Sequence, residues 1–80
     1  MKNKTLTDLK PGQKCVIVKL KSPEHMRRRL MDVGLIADTC VECIGKSPLG
    51  DPSAFLIRGA VIALREEDSR SILVKNIRSV

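Results

Sequence analysis

Tryptophan and tyrosine are absent from this sequence, and Phe55 is its one aromatic residue. Grooves that grip proline-rich peptides are lined with aromatic rings, so that activity is excluded. Single-stranded nucleic acids are held by stacking bases on rings, and no such platform is available either. Long apolar runs are also missing. The longest, residues 15–18 and 60–64, fall far short of the roughly 20 residues a membrane helix needs. No apolar stretch follows Met1-Lys2-Asn3-Lys4-Thr5. The expectation is therefore no secretory leader and a cytoplasmic chain, free to work at the inner face of a membrane. Histidine occurs once, as His25. No nucleophile–histidine–acid set and no phosphate-cradling G-x-x-x-x-G-K-S/T loop can be found. The only grouped carboxylates are Glu66-Glu67-Asp68, which read as a solvated turn. The sequence predicts no enzyme and no cofactor.

Cysteine is sparse and odd in number: Cys15, Cys40 and Cys43. Without an export signal they read as reduced thiols. Cys40-Val41-Glu42-Cys43 is formally C-x-x-C. It falls in a predicted strand, where residues three apart point to opposite faces, so neither a redox pair nor a metal clip is expected. A Cys₃His site with His25 has no supporting spacing, and no metal ligands are assigned.

What the chain does have is positive charge and β-branched alternation. Its 80 residues allow one domain, 1–80, with a core of Val, Ile, Leu, Met and Ala. The net charge is +6, and residues 1–46 hold ten Lys and Arg against five Asp and Glu. The densest cluster is Arg27-Arg28-Arg29. Such a surface favours an acidic partner, a phosphate-bearing ligand or an anionic membrane face.

Leu6 and Leu9 are placed to plug the end of a core, and Lys10-Pro11-Gly12 marks a turn. Residues 13–21 alternate as a strand. Ser22-Pro23-Glu24 predicts a helix start, with Ser22 as cap and Pro23 at the first helical position. Met26, Leu30 and Val33 share one face of a helix over 22–33, and Gly34 ends it. Glu24 and Asp32 are each four residues from Arg28, as ion-pair partners on the other face. Strands follow at 39–45, 54–57 and 60–64, with a loop over 46–52 and a tight hairpin at Arg58-Gly59. Residues 65–69 make a polar connection of about one helical turn, and 72–77 a last strand. The pattern predicts a mostly β fold, a small five-stranded antiparallel barrel with one short helix.

Three stretches become specific when read together. Arg28-Arg29-Leu30-Met31-Asp32-Val33-Gly34-Leu35 resembles the R-L-x-x-L/V-G-L helix end of the FeoA (ferrous iron transport protein A) family. Leu49-Gly50-Asp51-Pro52 is similar to its G-D-P loop, and Arg58-Gly59-Ala60-Val61-Ile62-Ala63-Leu64-Arg65 to its G-x-x-I/L-A-L-R strand. The resemblance runs from Leu6 to Val74. It implies an SH3-like barrel and a part in ferrous iron uptake beside FeoB, a membrane transporter with a GTPase domain. It also brings a general expectation of transition-metal involvement, read as transport. In one place the chain departs: Ala37-Asp38 stands where many members carry Pro-Gly. The expected role is a non-catalytic adaptor, contacting its partner through Arg28, Arg29, Leu35, Leu49 and Asp51. The alternative is a metal-linked domain of a transcriptional regulator, serving nucleic acid or a regulator partner.

Overall fold

The computed structural model describes residues 4–80; the leader reading at residues 1–3 lies outside them. Six strands form one antiparallel sheet: β1 (Lys4–Thr5), β2 (Gln13–Leu20), β3 (Cys40–Lys46), β4 (Ser53–Ile57), β5 (Ala60–Leu64) and β6 (Ile72–Ser79). Helix α1 spans Glu24–Asp32 and the short α2 spans Glu66–Ser69. The sheet order is β1-β6-β2-β3-β4-β5. Strands β1 and β5 are the two edges and do not pair, so the sheet curls without closing.

The sixth strand is the difference from the five expected. Thr5 and Lys4 pair with Leu73 and Val74, a ladder too short to leave any periodic trace in the sequence. The turn after it is better marked. Thr5 and Asp8 cap a single 3-10 turn reciprocally, the Thr5 N–H donating to Asp8 Oδ2 at 2.9 Å. That turn drives Leu6 and Leu9 fully into the core.

Phe55 is fully buried, in one core cluster with Ile17, Val41, Cys43, Ile57 and Ile72. Strand β2 reaches this core on an irregular phase. Cys15 and Ile17 point inward, Val18 is exposed, and Leu20 is inward again. A bulge between Ile17 and Lys19 in the β2–β6 register makes the switch. The Arg58-Gly59 hairpin forms as expected. Both residues have positive φ (50° and 82°), the condition for a two-residue type I′ turn.

The helix start differs from expectation. Pro23 is the N-cap, and no side chain caps it. Ser22 is buried instead, its hydroxyl bonded to that of Ser71, where the end of β2 meets the start of β6. A partner 49 residues away outcompetes the local backbone. Along α1 only Leu30 is buried, Met26 is half-buried, and Val33 remains exposed. The helix therefore rests on the sheet by a narrow stripe.

Candidate docking surface

The end of α1 is built by a specific cap. Gly34, with φ of +106°, donates its N–H to Met31 C=O at 3.0 Å, and Leu35 donates to Leu30 C=O at 3.0 Å. This is a Schellman motif, and it brings the side chains three residues inside and two outside the cap together. Those are Leu30 and Leu35, both in the core. Leu35 is 0% exposed, so it offers nothing to a partner, contrary to its assignment as a contact residue. The Leu-x-x-x-Gly-Leu spacing was the available signal for that burial.

Arg28 and Arg29 do lie on the surface. The expected pairs of Arg28 with Glu24 and Asp32 do not form. Among the described residues the ion pair is Arg70–Glu66, at 3.5 Å on α2. The arginines of α1 thus carry unneutralised charge toward solvent. Arg29 borders a hollow of about 210 Å³ shared with Met26, Val33, Ile62 and Asp68. On the opposite flank of α1, Arg27 and Met31 border a wider groove that the sequence reading did not single out.

Leu49 stands at the tip of the β3–β4 loop, 94% exposed. The loop beneath it is tied. Gly50 N–H donates to Ser47 C=O (2.8 Å), Ser47 N–H to Pro52 C=O (3.0 Å), and Ser47 Oγ to Asp51 C=O (2.8 Å). Asp51 Oδ1 accepts the N–H of Glu66 at 2.9 Å. Arg65, the N-cap of α2, supplies no side-chain bond, so Asp51 caps that helix from a distant loop. Its carboxylate is already engaged within the fold. Because α2 takes Asp51 at its start and lends Asp68 to the hollow beside Arg29, it bridges the loop and helix α1.

The cysteines diverge as their spacing implies: Cys40 is exposed, Cys43 and Cys15 are buried. Burial first, and then the neighbouring Cys40 and Cys43, push the Cys15 thiol up to about 12. Burial also raises Cys43, opposed by the Gly45 backbone and Lys46. Among the described residues no three His, Cys, Asp or Glu side chains gather as a metal site. The donor set among the described residues does not fit a tetrahedral centre.

An open, curled six-stranded sheet with an uncovered helix flank and an exposed loop defines a small SH3-like β domain. Residues 4–76 match the FeoA domain model. The chain belongs to the FeoA family. It is 30% identical over 74 residues to the Fe(2+) transport protein A/Fe(2+) transporter FeoB fusion protein of Porphyromonas gingivalis, covering 92% of this chain and 9% of the fusion. The chain thus spans about a tenth of that relative's length. An FeoA-like protein from Clostridium acetobutylicum superposes with a TM-score of 0.83 at 31% identity, over 94% of this chain and 87% of that one. FeoA of Stenotrophomonas maltophilia, crystallised with zinc and described as a procaryotic SH3 domain protein, shares the fold. Its TM-score is 0.80 at 22% identity, over 90% of this chain and 89% of that one. The family is associated with ferrous iron transport.

Proposed function

We propose that this chain is a non-catalytic accessory protein of ferrous iron uptake, docking on the cytoplasmic side of a FeoB-like transporter and adjusting its GTP-driven cycle. One observation carries this reading: in P. gingivalis a segment like this chain is joined to FeoB in one polypeptide. Covalent joining holds two parts at high effective concentration. Where the two parts are not joined, a contact surface takes the place of that tether. The unneutralised Arg28 and Arg29 and the protruding Leu49 supply one. Asp51 holds the Leu49 loop to α2, and Leu35 holds the helix end; both act through the fold.

The test is capture from a native membrane fraction by the tagged protein, in low and high salt. The expected result is recovery of a FeoB-like transporter that weakens as salt rises. Replacing Arg28 and Arg29 together by Ala, or Leu49 by Ala, should lower recovery several-fold. Unchanged recovery and unchanged iron uptake would remove these residues from the interface. Recovery of nucleic acid alone would move the reading to a regulator's metal-linked domain.

A further inference from the structure

Strand β3 follows β2 only as far as the Val16–Cys40 pair, after which Asp38 and Thr39 bond to the Ile17 backbone and the chain turns away. From Val18 onward β2 keeps β6 alone as its hydrogen-bonded neighbour. A groove opens there, between the end of β2 and the Arg27–Met31 flank of α1, with a volume of about 610 Å³. Its apolar surface comes from Leu20, Met31 and Ile36, with Ala37 beside them. Lys19, Lys21 and Arg27 stand around it, and among the described residues no acidic one lines it. Among the described residues none of these three cations is in an ion pair.

We propose that this groove binds an acidic peptide segment carrying apolar anchor residues. Its volume falls in the range of roughly 300–1,000 Å³ that holds small ligands, enough for a short peptide turn. The three cations attract carboxylates and fix their register. Met31, 47% exposed, gives the floor an adaptable surface for an inserted Leu, Ile or Met. A phosphate polyanion would satisfy the charges but leave that floor wet, and Phe55 is buried, so bases have nothing to stack on. A bilayer surface is too broad to enter a concave groove. A peptide satisfies the charged rim and the apolar floor together.

This assignment deepens the adaptor reading and rests on it for the identity of the partner. The probe is a synthetic peptide of two leucines flanked by aspartate and glutamate, titrated into the isotope-labelled protein. Saturating amide shifts are expected at Lys19, Lys21, Arg27, Met31 and Ala37. Arg27→Glu or Lys21→Glu should each weaken binding roughly tenfold. Arg78→Glu, at the opposite end of β2 where Arg78 pairs with Lys14, should leave it unchanged. Shifts gathering on the Leu49 loop would overturn the groove assignment, as would equal binding of a leucine-free peptide or of oligothymidine. Membrane capture separates the two readings. Transporter captured by the wild type and lost by the Arg27→Glu/Lys21→Glu variant supports both. Capture retained by that variant overturns the groove alone. No capture by the wild type overturns the adaptor reading, while the titration still decides the groove.

Discussion

At Gly34 two demands meet in one residue. Its φ of +106° is outside what an L side chain adopts readily, and an added Cβ would lie 3.1 Å from Ile57 Cγ2. Gly34→Ala should cost about 1–3 kcal/mol, read as a lower urea midpoint at unchanged slope. Asp38, at φ of 70°, fills the left-handed position where many family members carry glycine. Its short carboxylate tolerates that geometry better than most side chains, and the turn is kept. Cys15 carries a pH signature. Its thiol ionises near 9.0 when unfolded and near 12 when folded. The folded state therefore holds its proton over a window in which the unfolded state has lost it. The stability from this group is complete below pH 9 and declines as pH rises toward 12, by at most about 1.4 kcal/mol per pH unit. Urea unfolding in alkaline buffers should show the decline, and Cys15→Val should reduce it, the raised Cys43 thiol supplying a remainder of the same sign.

Among the elements, α2 is the one most dependent on a distant residue. Asp51→Ala should cost about 1 kcal/mol, the usual value of a lost cap, and speed amide exchange at Glu66. Asp51→Asn, which keeps an accepting oxygen, should recover most of it. This role was not legible in the sequence, because the two partners are 15 residues apart and no periodicity links them. Ser22 was misread for the same reason, its partner being Ser71 in the turn before β6. Strands β3 to β6, the hairpin and the stop at Gly34 were legible, since alternation and glycine placement act within a few residues. Leu35 marks the boundary between the two cases. The spacing that buries it was present, but its position after the helix stop suggested surface. The groove beside Arg27 could not be read at all, since it depends on where β3 leaves β2.

For the whole molecule, the +6 net charge sits on a domain whose one ion pair, among the described residues, is exposed on α2. Self-repulsion works against the compact state, so moderate salt should raise Tm by a few degrees while weakening partner capture. Calorimetry and capture measured over the same salt series should move in opposite directions. A last consequence follows from the free edge at β5. Ala60–Leu64 carries neither charge nor proline, and Val61 is 64% exposed. Edges of this kind recruit further strands unless something guards them. The neighbour across the hollow at this strand is α1, itself held through Leu30 and Met26. If that helix frays before the sheet melts, copies of the chain can zip together while most of each molecule is still folded. Losses in storage would then begin below the melting midpoint, and shelf life would follow the grip of two side chains rather than the strength of the core.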